Sequence, residues 1–473
     1  MRIEILGGKK IFRNMLDKIH PIYICFKLIF LFVIGSLIFS SVFLSGCIEE
    51  GYSSIEIVEV SYEKINKSLN SAEKWLTSNL REKGCFNYIY ELSTGEYPDK
   101  NNMIRQLMAS RLLAEFCQTN SSLETLHQKN LDFVLEHWYE EDNETSYIFY
   151  NNKSKLGAIA MALRTLIYSP FFDNYKENAT KLANSIFSLQ NSDGSFEPWF
   201  IAPDDTYDKD YLDYLLTFYS GEAILSLVEM YIKTNDSIYL DTAVKSQDFY
   251  IDKYVVHLDD NYYPSYVPWH TQSLNKLYKI TDEKKYADAI MILNDKLLEI
   301  QDTNDRSTLG RFYDPMHPEY GAPHSSSDGV YTEGLAYAYE VARLVNDTEH
   351  QNKYKIGIIL GVHNLVSLQY DSSDDKIDGA IRYNIDDYRI RIDTTQHTID
   401  AFKKILDVFG DDSGNNWNLA YNIVNGTLVK YSQNDQVGKE GANNAVWYAL
   451  AVGTILSIIL LFIIYLVIRK KQR

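Results

Sequence analysis

A chain of 473 residues that is 45% hydrophobic and 14% aromatic has enough apolar material for a large core. Its net charge of −18 sets up long-range repulsion toward phosphate backbones and other anionic surfaces, which excludes nucleic acid as a partner. Its 37 tyrosines suit a broad binding surface, each pairing a flat apolar face with a hydrated hydroxyl, although filling helix interfaces explains most of them.

The two ends read differently from the middle. Residues 1–48 hold an uncharged apolar run from Leu28 to Gly46 behind Arg2, Lys9, Lys10, Arg13, Lys18 and Lys27, the layout of a signal peptide or a signal anchor. The run closes on Leu44-Ser45-Gly46-Cys47, similar to a lipobox, which would make Cys47 a lipidation site. Residues 49–59 read as a linker. Residues 411–444 read as a C-terminal extension and linker, and 445–468 form a charge-free run longer than the roughly 20 residues a bilayer core requires. Arg469, Lys470, Lys471 and Arg473 make 469–473 a basic tail that would stay in the cytoplasm. The expectation is a membrane protein whose large domain faces outward, both ends pointing inward unless the front is cleaved and lipidated at Cys47. With a net +4 at the front and four positives at the tail, the middle carries −26. Eight N-x-S/T sequons there give weak support to export.

Between the ends, apolar residues recur at helical spacing in twelve stretches, near 60–80, 103–117, 123–138, 155–168, 172–189, 217–233, 237–254, 266–279, 283–300, 328–345, 349–369 and 392–408. Connections alternate strictly between short and long, so every long loop falls on one side, and the unpaired first and last helices can pair. The long loops also resemble one another, through GCFNY, GSFEPW, GRFYDP and GAIRYN. The predicted fold is therefore all-α, a ring of six helical hairpins over 60–410, with six helices inside and six outside. Cys85 and Cys117 would lie near opposite rims, about 24 Å apart along a 16-residue helix, too far for a disulfide.

The loop QNSDGSFEPWF, the segment YSGEAILSLVEMYIKTNDSIYLDTAVKSQDFYI and the similar PWHTQSLNKLYKITDEKKYADAIMILNDKLLEIQ resemble the (α/α)6 toroids of six-hairpin glycosidases and their relatives over residues 60–410. Those relatives include unsaturated glucuronyl hydrolases, N-acylglucosamine 2-epimerases and glucuronyl C5-epimerases. The resemblance implies a sugar-active enzyme, a glycoside hydrolase or an epimerase, acting on a glycan that could contain uronates. A non-catalytic glycan-binding or envelope-scaffolding protein is the reading from another class. Terpene cyclases share a related toroid, but no DxDD-type acid motif is present.

In such a ring the site lies where long loops meet the first turns of the inner helices. The stretch HSSSDGVYTEGLAYAYEVARLV, from His324 to Val345, runs from polar loop into helix, with Ser326 or Ser327 as cap and His324, Asp328 and Glu333 crowded at its mouth. Reading the other turns adds Glu222, Trp269 with His270, and Asp393 with His397 four residues on, where Asp393 should fix the imidazole tautomer and raise its pKa. Glu222 on the third inner helix and Asp393 with His397 on the sixth would face each other, as an acid and a base must across a sugar. The catalytic candidates are Glu222, Asp328, Asp393 and His397.

Substrate-binding candidates are Trp269, His270, His324, Glu333, Arg391, Trp199 and Tyr219. Each has a plainer reading: first-turn carboxylates are favoured by the helix dipole alone, His270 fits a buried core histidine, and Arg391 could simply neutralise its own acidic loop. No metal site is predicted. The aspartates of DSSDDKIDGA and APDDTYDKD could hold calcium, although neither matches an EF-hand loop.

Overall fold

The computed structural model describes residues 56–204, 206–410, 419–424 and 427–430, with positions 466, 469 and 470. The apolar run of residues 28–46, Cys47 and the run 445–468 lie essentially outside the described residues. The chain divides into two compact units, Val58–Tyr421 with Lys430–Arg473, and Met1–Ile57 with Asn422–Val429. Strands occur at Glu56–Val60, Leu419–Val424 and Thr427–Lys430.

Among the described residues the larger unit holds twelve long helices: α1 (Tyr62–Ser78), α2 (Met103–Cys117), α3 (Glu124–His137), α4 (Leu156–Tyr168), α5 (Lys176–Ser188), α6 (Lys209–Thr234), α7 (Ser237–Ile251), α8 (Tyr266–Thr281), α9 (Lys284–Leu298), α10 (Ser325–Leu344), α11 (Thr348–Ser367) and α12 (Ile392–Gly410). Burial sorts them into two layers. In α4 every residue from Leu156 to Ile167 is buried, the mark of a helix packed on all sides. In α1 the buried positions are Ile65, Ser68, Leu69, Ala72, Trp75 and Leu76, one stripe at three- and four-residue spacing, which suits an outer helix with a wet face.

The inner ring runs α2, α4, α6, α8, α10, α12, each packed on the next and α12 back on α2; α3, α5, α7, α9 and α11 back their preceding inner helices, and α1 pairs with α12. Closure is reinforced at the loop end, where Ile89–Tyr90 pairs antiparallel with Ile390–Arg391, and Trp75 Nε1 donates to Lys376 O at 2.9 Å. The seams between inner helices are apolar. Leu107, Leu112, Leu113, Ile159, Ile224 and Ile399 are fully buried. Truncating one such leucine to alanine costs about 2–5 kcal/mol.

The recurring loop motif is one structural device used four times. Gly84, Gly194, Gly310 and Gly379 take φ of +104°, +99°, +86° and +84°, and a Cβ at each would strike the backbone carbonyl of Lys129, Lys245, Leu360 or Ser71 on the neighbouring outer helix. The apolar residue two positions on is then tied down through its N–H: Phe86 to Gln106 Oε1 at 3.0 Å, Phe196 to Tyr250 OH at 3.2 Å, Phe312 to Asp328 Oδ1 at 2.9 Å and Ile381 to Thr395 Oγ1 at 3.0 Å.

Two helix starts differ from the sequence reading. Helix α6 begins at Lys209, capped by Asp208, whose carboxylate accepts from Tyr211 N at 2.9 Å, so Glu222 sits deep in the helix rather than in its first turn. Its composition would let it cross a membrane, yet 83% of its apolar window is buried in the domain. Helix α10 is capped by His324 rather than a serine, with Nδ1 accepting from Ser327 N at 3.0 Å. Cys85 and Cys117 are buried free thiols.

Candidate active site

A cavity of about 320 Å³ opens at the loop end of the inner ring, near the small end of the range for ligand pockets. Six of the sequence-predicted residues line it: Tyr219, Glu222, Trp269, His324, Asp393 and His397. They come from four inner helices, α6, α8, α10 and α12, so only ring closure brings them together.

Glu222 is 2% exposed, and its Oε2 has no hydrogen-bond partner among the described residues. Gly157 on α4 makes room for it, since a Cβ there would strike Oε2 and the Tyr219 ring. Burial pushes the Glu222 carboxyl up to about 8 despite the opposing pull of Arg164 and Lys155, so it carries its proton at neutral pH. A buried carboxylic acid on a cavity wall is a proton donor.

Asp393 behaves in the opposite way. Burial alone would raise its carboxyl, but Arg105 and Arg391 overcome that and hold it well below the usual carboxylate range. Arg391 Nε reaches Oδ1 at 2.9 Å, Arg105 Nε reaches Oδ2 at 2.9 Å, and Ser326 Oγ donates to Oδ2 at 2.9 Å. With both oxygens engaged, Asp393 is a weak base, and its structural effect is to fix two guanidiniums beside the cavity.

His397 also departs from expectation. Burial pushes its imidazole down to about 4, and the attraction of Asp393 and Asp400 offsets only part of this. Its Nδ1 has no hydrogen-bond partner among the described residues, so Asp393 does not set its tautomer there. The ring stands edge-on to Trp269, centroids 6.0 Å apart. His324 is likewise pushed down to about 3 by burial and by Arg391, and since its Nδ1 accepts from the backbone, Nε2 carries the hydrogen. The cavity therefore holds a protonated carboxyl and two neutral imidazoles.

The other predicted residues lie elsewhere. Asp328 is spent on architecture: Oδ1 takes the Phe312 N–H and Oδ2 accepts from Asn364 Nδ2 at 2.8 Å, while burial lifts its carboxyl to about 7. His270 is a core histidine, hydrogen-bonded to Ser220 Oγ at 3.1 Å and Gln247 at 3.2 Å amid Tyr250, Tyr254 and Tyr266. Glu333 lines a second cavity at the opposite end of the ring. Arg391 acts through Asp393, and Trp199 sits beneath Lys155, Nζ to centroid 5.6 Å.

The sequence reading missed Arg105, Lys155, Tyr214, Tyr263, Asp314 and Tyr320, all in the lining. Arg105 is in the first turn of α2 and Lys155 caps α4. Applying the first-turn rule to the first two inner helices as well as the last four would have found both.

At the far end, Arg111 holds Asp400 through Nη1–Oδ1 at 2.8 Å and Nη2–Oδ2 at 2.5 Å, and Arg164 holds Glu229 through Nε–Oε2 at 2.7 Å and Nη2–Oε1 at 3.0 Å. Among the described residues, Glu333, His397 and Asp400 bring ligand atoms within 4.8 Å of one another. That set lies in the ring, away from the acidic loops considered for calcium. The guanidinium chelating Asp400 already supplies the positive charge there, so the donor set fits a metal ion poorly.

No protein-family model matches the sequence, and no curated protein matches it at the sequence level. Solved structures do. A D-mannose isomerase matches with a TM-score of 0.56 at 11% identity, over 72% of this chain and 97% of the other. An unsaturated glucuronyl hydrolase specific for heparin gives 0.53 at 11%, over 74% and 98%. The GH76A alpha-1,6-mannanase from Salegentibacter sp. HEL1_6 gives 0.52 at 12%, over 73% and 99%. At such identities the likeness shows the fold alone, a closed ring of six helical hairpins.

Proposed function

We propose that this protein is a carbohydrate-active enzyme whose active site is the loop-end cavity, and that it cleaves a glycosidic bond with Glu222 as general acid. One observation carries the reading: a fully buried carboxyl, unpartnered at Oε2 and protonated at neutral pH, forms the wall of an aromatic-lined cavity. As the bond from the anomeric carbon to the leaving oxygen breaks, Glu222 gives that oxygen its proton. Water adds to the carbon, and neutral His397 takes up the water's proton. Trp269 and Tyr219, both in the lining, supply apolar ring surface to the sugar. The full chain in detergent, incubated with a panel of glycans, should release reducing ends, and Glu222→Gln should stop this while sugar binding persists. Binding without turnover across the panel would select the non-catalytic glycan-binding reading.

A second reading, sugar epimerisation or isomerisation, is favoured by His324 and His397, two neutral imidazoles in one cavity. It requires bases beside a carbon and no water. Deuterium from solvent entering uncleaved sugar, with His397→Asn more damaging than Glu222→Gln, would select it.

The apolar runs 28–46 and 445–468 motivate the further proposal that the ring stands outside a cell membrane. Protease added to intact cells should then digest the ring, and protection until lysis would refute this orientation.

A further inference from the structure

The first turns of α6, which the apolar pattern does not mark as helix, carry Tyr211, Tyr214 and Phe218 at three- and four-residue spacing. Their rings belong to a continuous run: Trp199 to Tyr207 at 6.1 Å between centroids, Tyr207 to Tyr211 at 4.7 Å, Tyr211 to Tyr214 at 6.4 Å, Tyr214 to Tyr263 at 5.6 Å and Tyr263 to Tyr320 at 5.3 Å. Tyr214, Tyr263 and Tyr320 line the cavity, so the run begins inside it. Tyr211 and Tyr214 are 37% and 41% exposed, so the run also reaches the surface. Core packing does not account for large rings left this open at a cavity mouth.

We infer that this ledge is a set of outer sugar subsites, and that the occupant is an uncharged oligosaccharide or polysaccharide chain whose end enters the cavity. The inference rests on the cavity being a sugar site and adds the substrate class. A pyranose offers one face of C–H groups to an aromatic ring and hydroxyls to its edge, which tyrosine matches with an apolar face and a phenol. The neighbouring charges choose between kinds of chain. Asp204, Asp208 and Asp210 are exposed along this stretch with Lys209. Asp213 is paired with Lys253 at 2.9 Å. A polyuronate would meet repulsion along the ledge, and a neutral chain would not.

The test uses the full chain in detergent and a length series of neutral manno-, gluco- and chito-oligosaccharides from one to six units, with hexagalacturonate as the anionic control. For one neutral series, affinity should rise with length, and Tyr211→Ala should weaken hexasaccharide binding about tenfold with a much smaller effect on the monosaccharide. Tyr211→Phe, which keeps the ring, should restore most of the loss. Affinity independent of length, equal losses for monosaccharide and hexasaccharide, or tighter binding of hexagalacturonate would each overturn the ledge while leaving the cavity reading intact. If no sugar of any length binds, both fall.

Discussion

The two ends of the inner ring are built from the same helices and both hold acidic and basic side chains, yet they use them differently. At the far end Arg111 and Arg164 each chelate a carboxylate, holding Asp400 low and Glu229 down to about 2 against the upward push of burial. Lys404 pairs with Glu340 at 2.9 Å. At the loop end Glu222 keeps an oxygen and His397 a nitrogen without a partner among the described residues, and Lys155 lies over the rings of Trp199 and Tyr219. Buried charge paired in this way fixes helices in register, with Arg111 Nε alone of these guanidinium and carboxylate atoms left unpartnered among the described residues. Buried polarity left unpaired costs stability and is the signature of a site.

The sharpest way to break this contrast is at Glu222. Glu222→Gln should lower turnover about 10²–10⁴-fold, the usual contribution of a positioned acid, measured as initial rates on whichever glycan the wild type cleaves. The same change should stabilise the fold at alkaline pH. Because the folded carboxyl sits at about 8 against an ordinary 4.5, its contribution is fully present below pH 4.5 and is lost as pH rises through about 8. Melting curves should show the variant gaining on the wild type across that window and levelling off above it; a constant difference would mean that Glu222 is not held protonated.

At the far end, Arg111→Met should cost about 3–5 kcal/mol, since it strands Asp400 without its charge partner. Denaturant unfolding would measure this, and adding Asp400→Leu should recover much of the loss. If Arg111→Met were as mild as a surface change, the two ends would not differ as described.

Asp328→Asn tests a residue that looked catalytic and is placed as an anchor. It should destabilise the protein by about 1–3 kcal/mol through the Phe312 and Asn364 hydrogen bonds. Turnover in the cold should fall less than tenfold, and a loss matching that of Glu222→Gln would return Asp328 to the chemistry.

The smallest effect is the shape of the pH profile. With His397 at about 4 and Glu222 at about 8, kcat/KM should form a broad bell between those values. A narrow peak near pH 6 would imply other titrating groups.

The helices and their alternation were legible because they are local. In α4, apolar residues on every face announce a fully packed helix, and in α1 a single stripe announces a half-packed one. The glycine of each long loop was legible for a similar reason: a positive φ against a neighbouring carbonyl leaves little choice of residue. The start of α6 was not, because Tyr211 and Tyr214 form a helix face with no buried stripe beneath it.

Residue type and place in the repeat put Trp269, His324, Asp393 and His397 at one cavity, but Glu222 reaches it from deep in α6 rather than from a first turn, and the same rule placed His270, Asp328 and Glu333 there although they lie elsewhere. What each group does there was decided by partners far away in the chain. Arg111 meets Asp400 across 289 positions, and Arg105, from the other end of the chain, settles the charge of Asp393. His270 and His397 look alike in sequence, each in an inner helix, but Ser220 and Gln247 satisfy one and nothing described satisfies Nδ1 of the other. Spacing along the chain determines which faces helices present, because backbone geometry repeats every few residues. Protonation and pairing depend on desolvation and on charges within a few ångströms, and only the closed ring establishes those distances.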